Sequence, residues 1–425
     1  MRSKFVCAFL LIQIAFRGIG FAAVAQTDTA DTLRLTVKQA EGRFLKNNLQ
    51  LLAQRYNIDI ANAQVITARL FLNPDFSINN GIAGSNESNP TAEQSASLSQ
   101  LITTAGKRNK NIQLAKIGVE QARYQFFDLL RTLKNTLRTD FYSIYYQRQS
   151  AHVYDEEIGS LIKTLSVYKQ QYAKGNIAEK ELLRIQSQLY SLQAEYNGMQ
   201  TATDTTESQL KLFLRIPPHT TVDPQVPDDI AGKEVLANIP YQTLLDSAYA
   251  NRYDLKYSKA AVDYNNMNLQ LQKATAVPDL SLSLNFDKLG SYGHNFLSAG
   301  IGVPIPLFNR NQGNIKAARA QVEQGNLELQ SRREQVESEV ATNYKIALRL
   351  EKLYNSFDPK FKQDFNHLIS EVFKNYEKRN ISMLEFLDFY ESYKTNTLQL
   401  NNILLNRVTS LEQLNYVTGT SFFNQ

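Results

Sequence analysis

Apolar positions in this chain recur with two periods, and the places where the period changes mark out its elements. In the stretch NFLSAGIGVPIPLFNRNQG, Asn295 to Gly313, Leu297, Ala299, Ile301 and Val303 alternate with small or polar residues, the period of a strand with one apolar face. Pro304 and Pro306 then oppose both ladder pairing and helix. A polar turn runs from Asn309 to Gly313, and an Ala/Gln/Glu/Leu-rich helix is predicted from Ile315. Upstream, Leu280, Leu282, Leu284 and Phe286 alternate with Ser281, Ser283, Asn285 and Asp287, which predicts a partner strand. Strands are therefore expected at about 278–288 and 295–304.

The first half of the chain follows the same programme. A helix is predicted from Leu35 to about Leu72, ended by Pro74. Strands follow at about 74–84 and 94–103, joined by a polar tip at Ser85–Pro90, and Gly106 marks a junction. Hydrophobics then recur at helical spacing, as in Phe126, Leu130, Leu133 and Leu137, with no proline before Pro217. A helix over 107–172 would be about 100 Å long at ~1.5 Å per residue. Gly175 and Asn176 are the strong turn signal, and the chain returns along Leu182, Ile185, Leu189, Leu192, Tyr196 and Met199. That spacing is the a/d seam of an antiparallel helical hairpin.

The two halves are copies. Tyr172–Ile177 (YAKGNI) matches Tyr376–Ile381 (YEKRNI), and Pro74–Ile78 (PDFSI) matches Pro278–Leu282 (PDLSL); both pairs stand 204 residues apart (376 − 172 and 278 − 74). Glu181 and Leu183 fall on Glu385 and Leu387 at the same offset, and Leu101–Arg108 falls on the junction that begins at Ile305. The chain reads as a tandem duplication: a first repeat over 26–216, a Pro-rich linker over 217–240 and a second repeat over 241–425. Each repeat ends in a long helical hairpin, with tips at 173–178 and 377–382. Pro359 is expected to break or kink the outbound helix of the second.

The N-terminus changes the picture more than composition does. Arg2 and Lys4 precede the apolar run Phe5–Phe16, and Ala23, Val24 and Ala25 form a small-x-small site, so residues 1–25 read as a cleaved secretory signal peptide; an uncleaved anchor is the alternative. Cys7, the one cysteine of 425 residues, lies inside it, which leaves the mature chain without disulfide or thiolate chemistry. Beyond residue 25 no apolar run reaches the roughly 20 residues of a spanning helix, so any membrane crossing falls to strands. A net charge of +5 without a dense Lys/Arg run asks for no nucleic acid. Four scattered histidines, and the absence of a phosphate loop or nucleophile elbow, give no candidate enzyme chemistry, metal site or cofactor.

Strands of about ten residues with one apolar and one polar face suit an outer-membrane barrel. Four of them cannot close even the smallest barrel, which needs about eight, and lipid tolerates no open sheet edge. Either several chains share one barrel, three of them supplying twelve strands, or the strands form a soluble cap on a coiled-coil rod.

The order of elements, the duplication, PIPLFNRNQG at Pro304–Gly313, LITTAGKR at Leu101–Arg108, and Leu35–Ala40 followed by Asn47, Asn48 and Leu49 together resemble the TolC-type outer-membrane efflux proteins. The resemblance covers essentially the whole mature chain. It implies a mainly α fold with a small β part: a homotrimer whose twelve-stranded β-barrel in the outer membrane continues as an α-barrel tunnel across the periplasm. It also implies docking, through the hairpin tips, on a periplasmic adaptor and an inner-membrane pump. The tips are Gly175, Asn176 and Ile177 in the first repeat, and Arg379, Asn380 and Ile381 in the second. Glu385 and Asp388 match the acidic pair that rings the closed periplasmic aperture in that family; two acids three apart near a helix start also simply suit the helix dipole. Their first-repeat counterparts are Glu181 and Arg184, so the pair is not duplicated. Gly106, Pro304, Pro306 and Gly313 would form the barrel-to-tunnel junctions. PIPLFNRNQG looks most like the channels of heavy-metal efflux systems with an RND pump; multidrug efflux, type I protein secretion and a purely structural periplasmic coiled coil are the alternatives.

Overall fold

The computed structural model describes residues 32–81, 94–227, 230, 236, 239–290, 293–358, 360–378 and 380–423. The expected signal peptide at 1–25, the Ser85–Pro90 tip, Pro359 and Arg379 lie outside these residues.

The first half runs β1 (Thr32–Thr36), α1 (Val37–Asn47), α2 (Leu49–Arg69), β2 (Asp75–Asn80), β3 (Gln94–Ile102), α3 (Lys107–Ala173), α4 (Glu179–Leu214) and β4 (Thr221–Gln225). The second runs α5 (Tyr241–Asn251), α6 (Tyr253–Thr275), β5 (Leu280–Gly290), β6 (Gly293–Gly302), α7 (Gln312–Asn355), α8 (Phe361–Glu377) and α9 (Met383–Thr418). At 67 residues, α3 is about 100 Å long.

The duplication extends to the backbone breaks. The helix expected from Leu35 to Leu72 is instead a strand and two helices. Thr36 caps α1 with a capping box to Gln39, and Asn48 stops α1 and caps α2 by accepting the Leu51 N–H at 2.9 Å. Arg252, 204 residues on, makes the same extended break between α5 and α6. At the other end of each repeat, Arg215 and Gly419 close α4 and α9 in the left-handed conformation, again 204 apart. A Cβ on Gly419 would stand 3.1 Å from the backbone of both Asn251 and Arg252, so close packing adds to the conformational demand for glycine there.

Two sheets form. One is small and parallel: β1 pairs with β4, Thr32 opposite Thr221 through Thr36 opposite Gln225. It lies outside the four strands expected from sequence, because its strands are short and one comes from the linker. The other sheet is antiparallel in the order β2-β3-β5-β6. The hydrophobic cores succeed one another along the helices. One surrounds the small sheet, with Phe44, Leu137, Phe141, Leu214 and Val222. A second joins α5 to α7 and α9 through Leu244, Val340 and Leu414. A third, with Leu161, Ile185, Leu192 and Phe386, binds the two hairpins to each other towards their tips.

Candidate functional site

The four-stranded sheet separates its side chains by chemistry. Residues paired across antiparallel strands share a face. Phe76, Leu98, Leu284 and Ala299 stand side by side across the four strands, as do Ile78, Ala96, Phe286 and Leu297. The opposite face carries Ser77, Ser97, Asn285 and Ser298 in one row. There the Ser77 and Ser97 hydroxyls are 2.8 Å apart. Gly300 belongs to this polar face, and a Cβ on it would fall 2.8 Å from the Ser283 hydroxyl. The apolar face is open, with Phe76, Ile78, Leu284, Leu297 and Ile301 all exposed. Among the described residues no helix is long and apolar enough to cross a membrane. β2 and β6 are edge strands, each paired on one side.

The junctions differ between the halves. Four residues, 103–106, join β3 to α3, whereas nine, 303–311, join β6 to α7. β6 ends at Gly302 rather than 304, because Pro304 and Pro306 have no N–H for a ladder. Gly106 takes a left-handed conformation before α3. Gly313 lies in the first turn of α7 with open space where a Cβ would go, so no contact requires glycine there. The short junction is tied down: Thr104 donates from N to Asp279 Oδ1 at 2.8 Å and from Oγ1 to the Pro278 carbonyl at 2.6 Å. Lys107 Nζ reaches Asp279 at 2.7 Å and the Val277 carbonyl at 2.6 Å.

At the hairpin tips the asparagines have a structural task. Asn176 donates from its backbone to the Gln171 carbonyl (2.9 Å) and from its side chain to Gln171 Oε1 (2.8 Å). Asn380 repeats this on Asn375, at 2.8 Å and 3.1 Å. Gly175 supplies the left-handed residue of the first turn, while Ile177 and Ile381 are half-buried. Glu385 and Asp388 are both exposed on the first turns of α9. Glu385 completes a capping box: its carboxylate accepts the Ser382 N–H at 2.8 Å, and its own N–H donates to the Ser382 hydroxyl at 3.2 Å. These bonds hold its carboxyl below the ordinary range. Ala178 stands where Ser382 does in the second repeat, so α4 has no side-chain cap.

Sequence reasoning missed the charges buried between the helices. Arg252, 1% exposed, makes a bidentate pair with Asp254 (3.1 and 2.6 Å) and reaches Glu339 (2.6 Å) and the Val417 carbonyl (3.2 Å). Arg332 also bonds Asp254, and Arg131 approaches it at 3.5 Å, so one carboxylate links α3, α6 and α7. Burial opposes ionisation of Asp254, but the bonds from Arg252 and the surrounding arginines win and hold it far below the carboxylate range. Arg138 bridges Glu41 (2.6 Å) and Glu412 (2.7 Å), joining α1, α3 and α9. Nearer the tips Glu157 is 2% exposed. Burial, with Glu391 and Glu195 nearby and Lys394 only partly offsetting them, pushes it up to about 8. The available signal was the repeat itself, which sets Arg252 on the capping residue Asn48.

Known proteins agree with this architecture. The chain is 21% identical over 322 residues to the cobalt-zinc-cadmium resistance protein CzcC of Cupriavidus metallidurans, covering 73% of this chain and 75% of that one. Its fold matches the CmeC outer-membrane channel of Campylobacter jejuni with a TM-score of 0.71 at 16% identity, over 91% of this chain and 86% of that chain. CusC matches with a TM-score of 0.73 at 17% identity, over 90% and 92%. The outer membrane efflux protein family matches at residues 42–214 and again at 244–420, once per repeat. The chain belongs to the outer membrane efflux protein family.

Proposed function

We propose that three copies of this chain close one twelve-stranded barrel in the outer membrane and form the passive exit duct of a tripartite system that expels divalent metal ions. The observation that carries the duct is the sheet: four strands, one apolar face, one serine-rich face and two unpaired edges. Lipid cannot hydrate those edges, so they must pair with other copies. Twelve strands leave the polar faces around an aqueous lumen. The metal cargo rests on the likeness to CzcC, a protein named for resistance to cobalt, zinc and cadmium. Residues 1–25 direct export and are removed, and the long hairpins cross the periplasm. A periplasmic adaptor and an inner-membrane RND pump supply the energy and meet the tips at Gly175–Ile177 and Arg379–Ile381. The duct itself catalyses nothing.

Glu385 and Asp388 line the periplasmic aperture in this reading, and three subunits give six carboxylates around one axis. The double variant E385Q/D388N separates charge from structure, because glutamine also serves at the fourth position of a capping box. In planar bilayers the wild-type trimer should conduct and be blocked by divalent cations from the periplasmic side, and the variant should conduct with weakened block. Unchanged block would refute the aperture assignment, and a trimer that never conducts would refute the duct. A deletion strain should become sensitive to zinc, cobalt or cadmium salts; unchanged metal sensitivity with raised drug sensitivity would move the cargo to drugs.

A further inference from the structure

The repeat leaves one contact made once where its symmetry calls for two. Within the chain, the connection after β3 docks on the connection before β5, through the bonds of Thr104 and Lys107 to Val277, Pro278 and Asp279. At the 204-residue offset, the connection after β6 takes the place of the first, with Phe308 at the position of Thr104. The connection before β2 takes the place of the second, with Pro74 and Asp75 at Pro278 and Asp279. In a single chain these two segments lie at opposite edges of the four-stranded sheet and do not meet. Both are strongly apolar and open: Ile305, Leu307 and Phe308 are 78%, 70% and 92% exposed, and Leu70, Phe71 and Leu72 are 66%, 76% and 54% exposed. The bonds that fix the 303–311 connection run within itself, to Gln312 and Asn314 in the first turn of α7, and to Gln272 of α6.

We propose that the 303–311 connection of one subunit seats on the 70–75 connection of the next. There Asp75 accepts the backbone hydrogen bond that Asp279 accepts within the chain, and Leu307 and Phe308 cover Leu70, Phe71 and Leu72. The inference rests on the shared-barrel reading above and adds the contact that locks it. Strand direction supports it. β2 begins and β6 ends at the helical end of the sheet, so antiparallel pairing of β6 with the β2 of a second copy brings Gly302 and its continuation beside Asp75. Composition supports it as well. Where the open segments carry Leu307, Phe308, Leu70, Phe71 and Leu72, the closed contact has the small residues Thr103, Thr104, Ala274, Thr275 and Ala276 at the same offset. A contact inside one chain forms at high effective concentration, whereas one between chains must bring its own apolar area out of water. Large exposed apolar patches mark interaction sites.

Site-directed disulfides test the contact, since replacing Cys7 by serine leaves no native thiol. D75C and F308C are placed on separately tagged copies of the full chain, co-expressed and oxidised in outer-membrane fractions; P74C with F308C is the second pair. T104C/D279C in one chain calibrates the reaction, because its contact is intramolecular. The expected result is a covalent dimer carrying both tags from each of the first two pairs, and an unchanged mass from the third. D75C/F308C in one chain should link as far as covalent trimers. Unheated gels report trimer formation independently. A trimer without crosslinks from either pair, or a crosslink within one chain, would overturn the docking and leave the duct standing; absence of any trimer would overturn both.

Discussion

Replacing Phe386 with alanine tests whether the end of the second hairpin is an independently stable unit. Phe386 is fully buried, with its ring centroid 4.1 Å from that of Tyr376 in a stacked arrangement, 4.9 Å from Tyr390 and 6.3 Å from Phe373. Truncating a buried phenylalanine costs about 3–5 kcal/mol, and lost aromatic pairing alone accounts for ~0.5–1.5 kcal/mol of such a change. The hairpin end cannot collapse to fill the space readily, since the flanking rings are held by α8 and α9 and by the packing of Val372, Ile185 and Leu189. Because α8 meets α9 over a short length, the loss should appear as local opening rather than global unfolding. At about 1.4 kcal/mol per factor of ten, amide exchange in α8 and the first turns of α9 should accelerate by roughly two to four decades. Amides around Phe44, Phe141 and Val222, in a separate core, should keep their protection. Hydrogen-exchange mass spectrometry of the detergent-solubilised trimer reads both. Equal acceleration in the two regions would show one cooperative unit, and unchanged exchange in α8 would show that the ring stack does not hold the tip; either refutes the reasoning.

Two further outcomes follow from the buried charges. Arg252→Met should lower stability by about 3–5 kcal/mol, because the variant leaves Glu339 and the Val417 carbonyl without their donor and removes the bidentate partner of Asp254. A shift in urea midpoint worth under about 1 kcal/mol, the value of a surface pair, would contradict it. Glu157 titrates near 8 in the folded chain against an ordinary 4.5. Between those values the native state keeps a proton that the unfolded chain has lost, so stability falls as pH rises through that window. Glu157→Gln should therefore raise Tm at pH 8.5 and change it little at pH 4.5; parallel Tm curves for variant and wild type would refute the assignment.

Much of this protein is local pattern, and local pattern is legible. Alternation fixed the strands of the large sheet and their apolar face, since side chains on a strand take opposite sides whatever the strand pairs with. The first long hairpin follows from helical spacing without proline, the second from the same spacing interrupted near Pro359, and the 204-residue offset made each half a check on the other. Tertiary structure decided what depends on distant partners. Leu35 belongs to a strand because Pro224, far along the chain, lies opposite it. Asn48 ends a helix that propensity would have continued, since its side chain caps α2 and its amide reaches toward the Phe213 carbonyl. Arg252 reads as an ordinary surface cation until α7 and α9 close over it. Periodicity records which face is apolar. It carries no record of which charges will be shut away together, because that depends on helices that meet only once the chain has folded.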